Sequence, residues 1–89
     1  MISEIDKSKI IELSKKYNVA RVLLFGSTLN PERESKDIDL AVEGLADSNF
    51  FKFYGELIFN LSKPVDLFDL TKKSAFRDII IREGVVLYD

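Results

Sequence analysis

The sequence predicts a small α/β domain in which helices cover a mixed sheet of about four strands. Short apolar runs rich in β-branched and aromatic residues, which are typical of strands, alternate with longer segments that have apolar residues at helical spacing. Glycine, proline or asparagine stands at most junctions between these segments. Such alternation is expected to give a mixed or mostly parallel sheet with helices packed against it.

The predicted elements follow one another without a linker, a repeat or a low-complexity tract. Helices are expected over residues 4–17, from residue 47 or 48 to about residue 62, and from residue 71 to about residue 83. Strands are expected over residues 19–25, 37–43, 65–70 and 85–88. Asn18 and Gly84 end the first and last helices, and Thr71 caps the last one. We therefore expect residues 1–89 to form one domain.

The helix expected after residue 47 carries an apolar stripe that would pack on the sheet. The stripe comprises Phe50, Phe53, Tyr54, Leu57, Ile58 and Leu61. Phe51 and Phe59 fall off this stripe. If both are exposed, they are candidate contacts for another protein or for a homo-oligomer. The alternative is that both pack beneath the neighbouring helix or the chain termini.

The composition restricts the chemistry that this chain can perform. It has no cysteine and no histidine, which excludes disulfides, the usual zinc sites and an imidazole base. Carboxylates remain, and they favour hard cations such as Mg²⁺. The net charge of −2 argues against non-specific binding to nucleic acid. No signal peptide or apolar run of membrane-spanning length is found, so we expect a cytoplasmic protein.

Three aspartates are candidate metal ligands and catalytic residues. Asp37 and Asp39 are two residues apart on a predicted strand, so their side chains share one face, about 6–7 Å apart along the backbone. Carboxylates this close raise each other's pKa unless a cation lies between them. Asp66, on the next predicted strand, completes a three-carboxylate cluster if the two strands are neighbours. Such clusters hold two metal ions in phosphoryl-transfer enzymes, and Asp66 could also accept a hydroxyl proton.

Each of these acids also has an ordinary structural explanation. A single aspartate at the start of a strand is usually a turn or capping residue. Strands contain few aspartates, which favours a metal site for the pair Asp37 and Asp39 and, more weakly, for Asp66. Asp69 has the opposite strand parity from Asp66, so we assign it to a turn or a helix cap.

The Gly26-Ser27 turn is the candidate phosphate-binding element. It follows a buried strand and precedes a very short helix that Ser27 can cap and that ends at Asn30. Gly26 lets a phosphate approach the backbone, whose N–H groups and the Ser27 hydroxyl can donate to it. An ordinary tight turn with a serine cap is the alternative. The order of the motifs favours the phosphate site, because Asp37 and Asp39 follow Ser27 by ten and twelve residues.

Taken together, these motifs resemble the polymerase-beta-type nucleotidyltransferase superfamily, and above all its minimal nucleotidyltransferase branch. Gly26 and Ser27, then a loop, then Asp37 and Asp39, then Asp66 on a later strand match the family's Gly-Ser, Asp-x-Asp and third-Asp pattern. The ending at residues 82–88 also resembles the family's C-terminal strand.

The resemblance implies transfer of a nucleoside monophosphate, AMP from ATP, with two Mg²⁺ ions held by the three aspartates. It also implies a partner protein with a HEPN domain, which is modified on a hydroxyl and silenced. This sequence departs from the family in the loop after Ser27, which lacks the usual basic residues; Lys36 or Arg33 could replace them at the nucleotide. The same departure favours a second hypothesis, a weak or inactive antitoxin-like binding module on the nucleotidyltransferase fold.

Overall fold

The computed structural model describes residues 2–32 and 35–89. Within these ranges the chain forms four strands, which are β1 (Arg21–Leu24), β2 (Ile38–Glu43), β3 (Val65–Asp69) and β4 (Val85–Tyr88). The α-helices of the same ranges are α1 (Glu4–Lys16), α2 (Phe50–Asn60) and α3 (Ala75–Glu83). Two short 3₁₀ helices, Gly26–Leu29 and Asp47–Asn49, precede β2 and α2. The predicted alternation of helices and strands is confirmed.

The strands form one mixed sheet in the order β3-β2-β1-β4. Strand β1 runs antiparallel to β2 and to β4, whereas β2 and β3 are parallel and are connected through α2. A parallel pair requires such a crossover because the chain must return to the same end of the sheet. The mixed sheet with packed helices is confirmed, and the mostly parallel alternative is wrong, since two of the three pairings described are antiparallel.

Helices α1 and α2 cover one face of the sheet and enclose the main core. In β2, Ile38, Leu40 and Val42 face this core, where they are packed with the fully buried Phe53 and Leu57 of α2. Burial of a side chain of this size contributes about 1.5–3 kcal/mol relative to exposure. The apolar contact therefore holds the crossover helix against the strand pair that it connects.

Helix α3 covers part of the opposite face. Its Ile80 packs there with Leu23 of β1 and Ala41 of β2. Because side chains alternate along a strand, Asp39 projects from the same face as Ala41. Asp39 is half-buried, while Asp66 on the neighbouring strand is exposed. Helix α3 thus leaves open the end of the sheet at which β2 and β3 begin.

The first helix has the ends that the sequence predicts. The Ser3 hydroxyl accepts a hydrogen bond from the Asp6 backbone N–H at 3.1 Å, as an N-cap does. Asn18 follows the helix with a φ of 56°, a left-handed conformation that asparagine tolerates better than most residues. The prediction that Asn18 ends this helix is confirmed.

The predicted cap of α3 at Thr71 is wrong. Ser74 is the cap, and its hydroxyl accepts a hydrogen bond from the Arg77 N–H at 3.0 Å. The Thr71 N–H instead donates to Asp69 Oδ1 at 2.9 Å, which forms a side-chain turn at the end of β3. This turn uses Thr71 before the helix begins, and it confirms the assignment of Asp69 to a turn.

The apolar stripe of α2 is narrower than predicted. Phe53 and Leu57 are fully buried, but Ile58 is 55% exposed, so its assignment to the stripe is wrong. One residue along a helix turns the side chain by about 100°, which carries Ile58 past the edge of the sheet. Phe51 and Phe59 are 82% and 89% exposed, which confirms the hypothesis of exposure and rejects burial beneath a neighbouring element. None of the helices in the described ranges is long and apolar enough to cross a membrane.

Three predicted strands extend beyond the observed ladders. The structure gives β1 as Arg21–Leu24 rather than residues 19–25, and β2 begins at Ile38 rather than Asp37. Val19 and Leu70 are both buried although they lie outside β1 and β3. Buried apolar residues thus continue past the assigned ends of β1 and β3, which explains why the predicted strands are longer there.

Candidate active site

Asp39 and Asp66 lie side by side on the parallel strands β2 and β3. The register pairs Asp39 with Asp66, just as it pairs Leu40 with Leu67. The backbones of neighbouring strands are about 5 Å apart, and side chains at paired positions project from the same face. The two carboxylates are therefore neighbours, and the expectation that their strands are adjacent is confirmed.

Asp37 lies at the entrance to β2, one residue before the strand begins, and is exposed. Its charge acts on the carboxyl group of Asp39, so the two lie within electrostatic range. The N–H of Ile38 donates to the Pro64 carbonyl at 2.8 Å, which ties together the segments that lead into β2 and β3. The structure thus brings Asp37 to the end of the sheet that carries the other two acids.

The Gly26 turn passes directly over Asp39. Gly26 has a φ of 65°, a left-handed conformation that costs an L-residue roughly 1–2 kcal/mol. A Cβ atom at this position would lie 2.8 Å from Asp39 Oδ2. The preceding residue, Phe25, donates its N–H to the Asp39 carbonyl at 3.1 Å. Glycine is therefore required both by the backbone conformation and by the closeness of the carboxylate.

Two hydroxyl side chains of the following 3₁₀ helix connect it to Asp39. Ser27 Oγ donates to Asp39 Oδ2 at 3.2 Å, and the buried Thr28 Oγ1 accepts from the Asp39 N–H at 2.9 Å. The prediction that Ser27 caps this helix is wrong, because Phe25 occupies the cap position and no side chain bonds there. Thr28 is a positioning residue that the sequence analysis missed, since no local pattern connects residues eleven positions apart.

The surroundings of Asp39 disfavour its ionised form. Burial raises the pKa of Asp39 above its ordinary value, and the negative charges of Asp66 and Asp37 raise it further. The hydrogen bond from Ser27 opposes this shift because it stabilises the carboxylate. The neighbouring acids thus repel one another, as the spacing in the sequence predicts.

The donors at this end of the sheet fit a hard divalent cation. Carboxylate oxygens are the ligands that Mg²⁺ prefers. A bound cation would offset both the burial and the neighbouring negative charges that raise the pKa of Asp39. Within residues 2–32 and 35–89, no group of three or more acidic side chains is close enough to hold a metal ion as it stands. The assignment of Asp37, Asp39 and Asp66 as metal ligands therefore stays a prediction, supported by the paired register and the charge.

The basic residues near the site differ in what the structure shows of them. Lys36 is exposed and immediately precedes Asp37, so its predicted contact with a nucleotide stays a prediction. Arg33 lies outside the described residues. Lys63, which the sequence analysis did not consider, donates from Nζ to the Ser35 carbonyl at 2.9 Å and holds the segment leading into β2. Its position became apparent only when the segments before β2 and β3 were placed side by side.

A Gly-Ser turn over an Asp-x-Asp strand, with a third acid on the parallel neighbour, defines a nucleotidyltransferase fold. The family described as "Polymerase beta, Nucleotidyltransferase" matches residues 8–89. The chain therefore belongs to the polymerase beta nucleotidyltransferase family. No curated protein matches the sequence.

Solved structures of toxin–antitoxin complexes contain chains with the same fold. A chain from a toxin–antitoxin structure with AMP-PNP is 27% identical with a TM-score of 0.74, over 91% of this chain and 71% of that one. A chain from the MntA–HepT toxin–antitoxin structure is 25% identical with a TM-score of 0.71, over 96% and 71%. A third chain is 26% identical with a TM-score of 0.72, over 97% of this chain and 71% of that one. It comes from the complex of a tri-AMPylated HEPN toxin with its MNT antitoxin from Shewanella oneidensis.

Proposed function

We propose that this chain transfers AMP from ATP to a hydroxyl group of a HEPN-type partner protein, using two Mg²⁺ ions held by Asp37, Asp39 and Asp66. The observation that carries the proposal is the pairing of Asp39 with Asp66 beneath the Gly26 turn. The exposed carboxylates of Asp37 and Asp66 can change rotamer, so the ligand set can close around a cation. A cytoplasmic location is part of the same proposal, since ATP is available there.

The chain's own groups supply the remaining chemistry. The backbone at Gly26 and the hydroxyl of Ser27 receive the β- and γ-phosphates, with Ser27 exchanging its bond to Asp39 for one to a phosphate oxygen. The exposed Lys36 would add positive charge that attracts the triphosphate. Bound Mg²⁺ would lower the pKa of the attacking hydroxyl and neutralise charge on the leaving group. The acceptor oxygen forms a bond to the α-phosphorus, the bond to the β-phosphate oxygen breaks, pyrophosphate leaves, and Asp66 takes the hydroxyl proton.

The partner is inferred from the related complexes. Three of the chains described above come from toxin–antitoxin structures, and one of those structures contains a HEPN toxin that carries three AMP groups. The exposed acid end of this sheet is accessible to a protein substrate, because α3 leaves Asp66 uncovered. A protein acceptor therefore fits both the open site and the neighbours.

A binding module without transferase activity is the second candidate. The segment from Thr28 to Glu32 contains no basic residue, and its Glu32 is exposed. Negative charge at this point weakens the attraction for a triphosphate. In this case the chain would silence the partner by contact alone.

Incubation with ATP labelled at the α-phosphate, Mg²⁺ and a HEPN-type partner separates the two candidates. We expect label on the partner, loss of transfer with EDTA, and recovery with added Mg²⁺. The Asp39→Asn variant, analysed beside the wild type, should bind the partner without labelling it. A stable complex that is never labelled under any metal condition would reject the enzyme and leave the binding module.

A further inference from the structure

Large apolar side chains lie on the outward face of α2, together with the exposed Lys52. Phe51 and Phe59 are 82% and 89% exposed, and Ile58 between them is 55% exposed. The rings are eight residues apart, so their Cα atoms are about 12 Å apart on one side of the helix. Monomeric soluble proteins rarely place several large apolar side chains together in water, so this face points to an association surface.

Gly55 lies at the centre of this face and has no intramolecular reason to be glycine. A Cβ atom added at Gly55 would meet nothing within 4 Å. Within α2, glycine is destabilising by about 1 kcal/mol relative to alanine. Glycine is the residue that allows another backbone to approach closely. A second helix crossing at Gly55 would explain a residue that the isolated chain does not need.

The two phenylalanines are placed symmetrically about Gly55, while Lys52 and Ile58 lie three residues to either side of it. Phe51 precedes Gly55 by four residues, and Phe59 follows it by four. When two such helices cross antiparallel at their glycines, the Phe51 of each copy meets the Phe59 of the other. A two-fold axis requires this self-complementarity, because the same patch must serve on both subunits.

The position of this face also separates it from the transferase chemistry. Helix α2 packs on the sheet face formed by Ile38, Leu40 and Val42, whereas Asp39 projects from the opposite face. An acceptor protein has to reach the acid face. A second copy bound at α2 leaves that face open in both subunits.

We propose that this chain forms a symmetric homodimer through α2, with the two helices crossing antiparallel at Gly55 and the Phe51 and Phe59 rings interleaved. The exposed apolar side chains of such a pair amount to on the order of 800 Å². Stable interfaces bury about 1,200–2,000 Å², so we expect a weak dimer. The proposal is independent of the transfer reaction.

Analytical ultracentrifugation from about 1 µM to about 1 mM tests the association. The mass of the wild-type chain should rise towards that of a dimer within this range. Phe59→Ser should move the transition at least about tenfold higher in concentration, since a ring leaves each side of the interface. Ile79→Ser, which alters an exposed side chain of α3 on the other face, is the matched control and should behave as wild type.

Gly55→Ala should have opposite effects on the stability of the monomer and on dimerisation. The variant should melt at a higher temperature than wild type when both are monomeric, because alanine favours the helix. It should nevertheless dimerise more weakly, because the added methyl group separates the two backbones.

Cross-linking locates the two-fold axis, since the natural chain has no cysteine. Gly55→Cys places a thiol at a position where, apart from the adjoining residues and backbone of α2 itself, no atom of the same chain lies within 4 Å of the added Cβ. Mild oxidation should then join two chains by a disulfide between their residues 55. Ser8→Cys, on the exposed side of α1, should cross-link far more slowly. The proposal fails if the wild type remains monomeric at every concentration, or if Gly55→Cys and Ser8→Cys cross-link equally. It also fails if Phe59→Ser releases a HEPN-type partner while self-association is unchanged, because the partner then occupies this face.

Discussion

Strand β2 carries two carboxylates on one face, Asp39 near its beginning and Glu43 at its end, and their surroundings are opposite. Glu43 lies between two guanidinium groups, with Arg21 at 3.2 Å and Arg77 at 3.4 Å. Burial raises the pKa of Asp39 instead, and the neighbouring acids Asp66 and Asp37 raise it further. Strand β2 thus has a carboxylate paired with cations at its end, and a carboxylate that repels neighbouring acids near its beginning.

This difference indicates that Glu43 stabilises the fold, whereas Asp39 belongs to the candidate active site. The Glu43 carboxylate connects β1 and α3 to β2 through its ion pairs with Arg21 and Arg77, and these arginines balance its negative charge. Acids that repel one another reduce the stability of the protein in isolation, and such arrangements concentrate at functional sites.

Replacement of Asp39 should have the largest effect. Asp39→Asn removes a charged metal ligand, and we expect transfer of AMP to fall by about 10³-fold or more, because metal stabilisation of the transition state contributes several kcal/mol. Circular dichroism should show an unchanged fold. A variant that retained full turnover would remove Asp39 from the mechanism.

Gly26→Ala should destabilise the chain by about 1–3 kcal/mol, since alanine must adopt a left-handed conformation and its methyl group meets the Asp39 carboxylate. Chemical denaturation measures the change in the free energy of unfolding. Gly55→Ala is the matched control, and its free energy of unfolding should rise by about 0.5–1 kcal/mol. Equal destabilisation of the two variants would contradict the special role of the Gly26 turn.

Glu43→Gln should reduce the free energy of unfolding by about 0.5–1 kcal/mol, because the ion pairs with Arg21 and Arg77 are partly exposed to solvent. Transferase activity should be unchanged at temperatures at which the fold is intact. A loss of activity comparable with that of Asp39→Asn would erase the distinction between the two ends of β2.

Asp39→Asn should also make the metal-free protein slightly more stable at neutral pH. The folded chain raises the pKa of Asp39, so the stability that the protonated acid contributes is lost as the pH rises through that pKa. Below the ordinary aspartate pKa of about 3.9, the wild type and the variant should be equally stable, since Asp39 is then protonated in both the folded and the unfolded wild-type chain. Thermal melts of both proteins across pH, with EDTA present, measure this difference. If the variant were less stable than the wild type at pH 7, the prediction that ionised Asp39 destabilises the metal-free folded protein would be wrong.

Much of the fold could be predicted because its elements are encoded by local periodicity. The two-residue period of a strand put Asp37 and Asp39 on one face, and the period of a helix left Phe51 and Phe59 off the buried stripe of α2. Local signals failed where a side chain found a partner outside its own segment. Ser27 was expected to cap a helix, but its hydroxyl bonds to Asp39, twelve residues further along the chain. Thr71 failed for a local reason, because the Asp69 side chain two residues earlier accepts its backbone N–H before α3 begins.

By itself, the sequence determined the alternation of elements, the apolar faces and the acids that project from them, because these depend on spacing along one segment. Only the tertiary structure decided that β3 pairs with β2 in a register that sets Asp66 beside Asp39. It also decided that the Gly26 turn closes over Asp39. Strand pairing and loop placement join residues that are far apart in the chain, and they depend on how all the buried surfaces are satisfied together.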